Sequence, residues 1–184
     1  LRDGAVRHVH GHVTRFGLGV HQGRHFGYEA TVRPWLGFRT RTSDCRIFQH
    51  QSVPEIVAAV FADHAAIAKF EFRLYGSYRS RTYTVQYRET DFNFVSRLME
   101  EEGIFYFFRH TDSGHEMVLG NAASSHLAAE GFDTIRYVEG SAGGDEDHII
   151  SRWRMKHEVQ TGKFTLRDYN FETPSTDLTS TTAG

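Results

Sequence analysis

The period of hydrophobic and polar positions changes along the chain, and the changes mark its elements. From Arg7 to Phe16, β-branched Val9 (or Val6) and Val13 stand among polar neighbours, which predicts a strand. The glycine-rich stretch Gly17 to Gly27 then reads as a hairpin connection. A second strand runs from Tyr28 to Arg33 and stops at Pro34, which has no N–H to give to a ladder. Ser52-Val53-Pro54-Glu55 predicts a helix start. Ser52 can cap, Pro54 fits the first turn and Glu55 completes a capping box. Ile56, Val57, Val60, Phe61 and His64 continue it at helical spacing. Lys69 to Leu74 and Arg81 to Tyr87 have strand character. In the second of these, Tyr83, Val85 and Tyr87 alternate with polar residues and so predict a half-buried face.

Thr90 can cap a second helix, with Asp91 at its positive end. Phe92, Val95 and Met99 form one apolar row, flanked by Phe94 and Leu98, and all three are expected in the core. Gly103 ends the helix where a left-handed backbone is needed. Ile104 to Arg109 and His115 to Leu119 then predict a hairpin turned by Asp112-Ser113-Gly114. Gly140 to Asp147 reads as an exposed loop. His148 to His157 and Lys163 to Tyr169 read as a strand pair turned at Thr161-Gly162, and Ser175 to Gly184 as a frayed tail. The fold class expected is α+β, mainly antiparallel β with two amphipathic helices.

Composition narrows the function. The 15 Phe and 8 Tyr favour a β-rich core or extensive subunit contacts. A net charge of −2 without a basic stripe argues against a nucleic-acid partner. Only three of the 21 basic residues are lysines (Lys69, Lys156 and Lys163), and arginine is the residue favoured at interfaces. Cys45 stands alone, so no intrachain disulfide forms and folding in the cytoplasm fits. No apolar run reaches the roughly 18 residues of a membrane span, no secretion signal opens the chain, and Leu1 reads as lying inside a domain.

Candidate chemistry is sparse. His8, His10 and His12 alternate and would share one face of the first strand, where three imidazoles could bind a metal. One straight strand does not converge ligands, so a solvated face is the preferred reading. His110, Asp112 and His115 bracket a turn and read as solvated loop polarity. Asp145, Glu146, Asp147 and His148 could form a carboxylate site, but their glycine-rich flanks suit mobility. Cys45 beside Arg46 has no marked partner base. Glu100, Glu101 and Glu102 crowd the negative end of the second helix. Arg97 can pair with Glu100 or Glu101, and Glu102 calls for an arginine from elsewhere in the fold or from another subunit. On this reading there is no catalytic residue, no metal ligand and no cofactor.

The run from Tyr87 to Phe108, YRETDFNFVSRLMEEEGIFYFF, closely resembles the signature of the valine–glycine repeat (VgrG) family. Arg33-Pro34-Trp35-Leu36, Arg46-Ile47-Phe48-Gln49 with Ser52-Val53-Pro54-Glu55-Ile56, and Leu166 to Phe171 before Pro174-Ser175 agree in order and spacing. The resemblance implies a phage baseplate hub-like fold of barrel-like β domains with a smaller α/β portion. Residues 1–44 would be part of a first hub barrel, 45–120 the α/β portion with both helices, and 121–184 a β-rich portion. That last portion would lead towards an OB-fold and a needle outside this chain. The implied function is structural. A homotrimeric spike hub caps the Hcp tube of a type VI secretion system, contacts baseplate components, carries effector or adaptor proteins and helps puncture the target membrane, without stable membrane insertion by this stretch. It would be assembled in the cytoplasm and then expelled by the machine. A prophage contractile-tail hub is the same-class alternative. A cell-wall hydrolase using the acidic loop, or a metal-binding module on the histidine strand, is the alternative of a different class.

Overall fold

The computed structural model describes residues 7–23, 25–126, 134–138 and 149–183. The chain divides into two compact units, Leu1–Asp133 and Thr134–Gly184. The first unit opens with an antiparallel pair, β1 (His12–Gln22) and β2 (His25–Arg33). A 3-10 segment, Trp35–Arg41, follows directly after Pro34. Then come β3 (Ser43–Phe48), α1 (Val53–Ala62), β4 (Phe70–Arg73), β5 (Thr84–Thr90), α2 (Asp91–Glu101), β6 (Phe105–His110) and β7 (His115–Gly120). β3 pairs with β5, and β4, β7 and β6 form a three-stranded sheet in that order, antiparallel between β6 and β7 but parallel between β4 and β7.

The expected first strand is displaced. It starts at His12 and runs through the glycine stretch instead of ending before it, and the chain turns at Gly23, where φ is +60°. At two of those glycines a side chain would be crowded. A Cβ on Gly27 would lie 2.7 Å from the Val20 carbonyl oxygen, and one on Gly19 would lie 3.1 Å from the Glu29 side chain.

Both helix starts match their signals. Glu55 accepts the Ser52 backbone N–H and hydroxyl, each at 2.7 Å, which holds the Glu55 carboxyl below its usual range. The Thr90 hydroxyl accepts the Asn93 N–H at 3.2 Å. At the end of α2, Gly103 has φ +67°. The Ile104 N–H reaches the Met99 carbonyl at 2.8 Å and the Gly103 N–H reaches Glu100, a Schellman closure.

The core of the first unit gathers Val53, Ile56, Val57, Val60 and Phe61 of α1, Phe94, Val95, Leu98 and Met99 of α2, Trp35, Leu36 and Ile104, and Met117 and Leu119 of β7. Phe92 departs from expectation: it is only partly buried against this core, whereas Phe94 is 0% exposed and stacks on Phe48 at 5.6 Å. The buried stripe of α2 is therefore turned by about half a helical step from the row read in the sequence.

The face of β5 is also reversed. Tyr83 and Tyr87 are 54% and 64% exposed, while Thr84 and Gln86 are buried. A bulge contributes, because Asp44 pairs with Glu89 but Arg46 with Gln86. Tyr87 and Arg88 thus oppose the single Cys45, and Arg88 takes φ +51°.

In the second unit, β8 (Arg136–Tyr137) pairs in parallel with β9 (Ile149–Ile150), and β10 (Lys163–Asp168) pairs with β11 (Leu178–Ala183). Among the described residues, 149–157 does not pair with 163–169 as expected, and Leu178–Ala183 of the expected frayed tail forms β11. The alternation Leu178-Thr179-Ser180-Thr181-Thr182 has strand propensity that its polarity masked. The Thr165 and Thr181 hydroxyls meet across the pair at 3.1 Å. Every described residue of β10 and β11 is exposed. The loop residues Asp145, Glu146, Asp147 and His148 lie outside the described residues.

Candidate functional site

Three places in the first unit concentrate polar or exposed apolar side chains. The first is centred on Asp91, the first residue of α2. Its carboxylate accepts Arg39 Nη1 at 3.0 Å, Arg46 Nη2 at 2.7 Å, Gln86 Nε2 at 2.8 Å and the Thr42 hydroxyl at 2.7 Å. Its backbone N–H donates to the Thr42 carbonyl at 2.9 Å. Burial pushes the Asp91 carboxyl up, but the bonds from Gln86, Thr42 and Arg39 and the charge of Arg46 outweigh it and hold the group below its usual range. The arrangement joins the 3-10 segment, β3, β5 and α2. With every carboxylate lone pair directed at a donor, it supplies cohesion rather than a free base. Sequence reading placed Asp91 only at the helix dipole. Arg39 and Gln86, both buried, carried no sequence signal, because a buried arginine is recognisable only once its carboxylate is found in space.

Arg46 also donates to Gln86 Oε1 and to Asp63, and Cys45 is exposed. The glutamates at the end of α2 find their partner within the chain: Arg81 bonds Glu101 at 2.6 Å and Glu102 at 2.7 Å. Arg97 turns mainly to Glu89 at 2.8 Å and reaches Glu101 only at 3.9 Å.

The second place is a histidine cluster. His8, His10 and His12 do not share a strand face, because β1 begins only at His12. Instead His10 and His12 meet His110 and His115 from the β6–β7 hairpin, where His110 and His115 are direct cross-strand partners. His115 is 5% exposed, which corrects its reading as solvated loop polarity. Its Nδ1 lies 2.8 Å from His10 Nδ1, and its Nε2 accepts the Trp35 N–H at 2.9 Å. Burial first, then the neighbouring His10, His12 and His110, hold the His115 pKa below the ordinary value. Among the described residues, no group of three or more His, Cys, Asp or Glu side chains has a geometry that could hold a metal ion.

The third place is a surface. Phe16, Leu18 and Val20 alternate along β1 and are 67%, 67% and 71% exposed, and Tyr28 on β2, directly opposite Leu18, is 65% exposed. Phe16 and Tyr28 stack with ring centroids 5.7 Å apart. Large apolar side chains ordered in this way on an open two-stranded ribbon mark a contact surface.

Comparison with known proteins places the chain among spike and hub proteins. The chain is 48% identical over 179 residues to the type VI secretion system spike protein VgrG1c of Pseudomonas aeruginosa, covering 97% of this chain and 24% of that protein. It is 32% identical over 185 residues to the spike protein VgrG3 of Vibrio cholerae, covering 100% of this chain and 18% of that one. The chain thus spans about a quarter or less of the length of these relatives. Among solved structures, the E. coli c3393 protein matches with a TM-score of 0.59 and 28% identity, over 72% of this chain and 36% of its own. It is described as a component of the type VI secretion system with structural similarity to the T4 bacteriophage tail proteins gp27 and gp5. The resemblance read from the Tyr87–Phe108 run and its companions is borne out, as is the hub-like fold class. The phage tail baseplate hub (GPD) family matches residues 1–184 in full, and the chain belongs to it.

Proposed function

We propose that this chain is the hub portion of a type VI secretion spike, working mechanically rather than as an enzyme. The observation that carries the reading is the near-complete match of the chain to proteins named as type VI spike proteins. The exposed apolar face of β1–β2 supports it, since a hub needs packed contacts more than tuned reactive groups. In the assembled hub, residues 1–44 contribute to a first barrel, 45–120 form the α/β portion and 121–184 the β-rich portion facing the needle. Three copies close a ring on the Hcp tube, meet the baseplate and carry effector or adaptor proteins. The spike is loaded in the cytoplasm and leaves with the tube. Among the described residues no helix is long and apolar enough to cross a membrane.

The test is made in the full-length spike. Phe16→Glu with Leu18→Glu should remove the trimer in sedimentation velocity and stop secretion of the tube protein. Asp145→Ala and Asp147→Ala should leave both intact. Loss of secretion from either acidic-loop variant, with the trimer preserved, would show that a chemical step has been overlooked.

A further inference from the structure

A hydrogen bond accepted by an imidazole nitrogen requires that nitrogen to be bare, and three such bonds meet where the chain enters β1. We propose that His10, His110 and His115 form a proton-operated clasp. It holds the segment leading into β1 on the β6–β7 hairpin while all three rings are neutral, and it releases that segment on acidification.

A neutral imidazole has one N–H and one lone pair, whereas the cation has two N–H groups and none. The Trp35 backbone N–H donates to His115 Nε2 at 2.9 Å, so that nitrogen is bare and the ring's proton sits on Nδ1. That N–H faces His10 Nδ1 at 2.8 Å, so His10 Nδ1 must be bare as well. The His10 backbone N–H in turn donates to His110 Nδ1 at 3.2 Å, which requires the lone pair there. A proton added to any of the three rings therefore sets two N–H groups against each other and breaks one bond of the chain. Crowding adds to this. The His115 centroid lies 5.1 Å from His10, 5.6 Å from His12 and 6.0 Å from His110, so any cation formed would face other imidazoles.

The charged groups on the surrounding elements do not offset this. Arg33 of β2 is the register partner of His12. The Lys69 ammonium, ahead of β4, lies near Gly114. On β6 and β7, Arg109 binds Glu71 and Glu116, which occupies those carboxylates. Asp112 is exposed in the turn, and His8 is exposed in the clasped segment itself. The charged influences on His115 come from His10, His12 and His110, all of which disfavour its cation.

The sign follows from linkage. The released state binds more protons than the clasped one, so the clasp is secure above the ordinary histidine range, about pH 6.5, and is lost as pH falls through it. The backbone donors give a direct readout, because the amides of His10 and Trp35 are protected only while the rings accept them. Hydrogen exchange of the 184-residue chain should be followed by NMR from about pH 7.5 to about pH 5.5 in EDTA. The protection factors of these two amides should fall together, approaching about tenfold per pH unit, the slope of one proton. Val95 and Leu98 amides in α2 should hold theirs.

Asparagine at position 10 or 110 presents Oδ1 where the ring presented Nδ1 and does not titrate. His10→Asn and His110→Asn should each keep the neutral-pH protection, and His115→Gln, which offers Oε1 where the ring offered Nε2, should keep the Trp35 protection and abolish its fall. Protection that is independent of pH, a fall shared equally by α2, or a wild-type slope in His115→Gln would overturn the clasp. So would a profile that changes when EDTA is left out, which would put a metal ion in the role of the proton.

Discussion

Asp91 begins a helix and faces inward, and it shows how one residue can hold two layers together. Its side chain is 5% exposed and its partner Arg39 is 1% exposed, so removing either partner leaves a charge that the interior does not solvate. Asp91→Ala should lower stability by about 3–5 kcal/mol, the range for breaking a buried pair. It is measured as a shift of the urea midpoint at unchanged slope. Because the Asp91 pKa is depressed, its contribution is fully present above the ordinary carboxylate range and is lost as pH falls through the folded value. The acid-unfolding curve of the variant should therefore be flatter than the wild type's below about pH 4. At the same scale, Phe94 and Phe92 separate core from margin. Phe94→Ala should cost about 3–5 kcal/mol, and Phe92→Ala clearly less, since its ring is already part-exposed. Equal midpoint shifts for the two would reject the orientation of α2 described above.

Helix α2 is an element whose two ends are specified by different means. Its start relies on Thr90 and its end on Gly103 in the left-handed region, with Arg81 from the segment ahead of β5 pairing the glutamates that would otherwise oppose the dipole. Gly103→Ala forces a Cβ into that backbone region and should cost about 1 kcal/mol, read from chemical denaturation. A Cβ there would meet nothing within 4 Å, so a larger loss would point to a contact outside the chain. Arg81→Ala removes part-exposed pairs and should cost under about 1 kcal/mol. The β1–β2 ribbon is the opposite kind of element. Its backbone approaches closely at Gly27, and its apolar side chains are left outward.

On the scale of the whole molecule, the two units are unequal. The first owns the hydrophobic core; in the second, no described residue is buried. A two-stranded ribbon without a core is marginal in water. Amide exchange should thus be far faster in β10 and β11 than in α1 and α2, and protection in β10 and β11 should rise when the chain is part of a full-length spike. Equal protection of both units in the isolated chain would contradict this. The exposed Phe164, Leu166, Tyr169 and Phe171, with the Phe16–Tyr28 face, give the molecule more apolar surface than a self-contained domain needs. A subunit of a larger hub has that character.

Local interactions were legible in the sequence because they act over three or four residues. The Ser52–Glu55 box, the Thr90 cap, the Gly103 stop, the Asp112–Gly114 turn and both helices follow from spacing alone, and the Tyr87–Phe108 run placed the family. Tertiary structure decided what spacing does not encode. Gln86 is buried because it bonds a carboxylate from α2 and an arginine from β3, and those bonds outweigh the apolar alternation of β5. Glu102 found Arg81, 21 positions away, only after β5 and α2 had folded back. β4 and β7 pair in parallel across more than 40 residues, a relation between two short strands that no local pattern carries. The histidine cluster is the clearest case. Alternation put His8, His10 and His12 together, whereas the fold joins His10 and His12 to a hairpin about a hundred residues on, because sequence periodicity orders neighbours along a strand and only packing brings strand ends together.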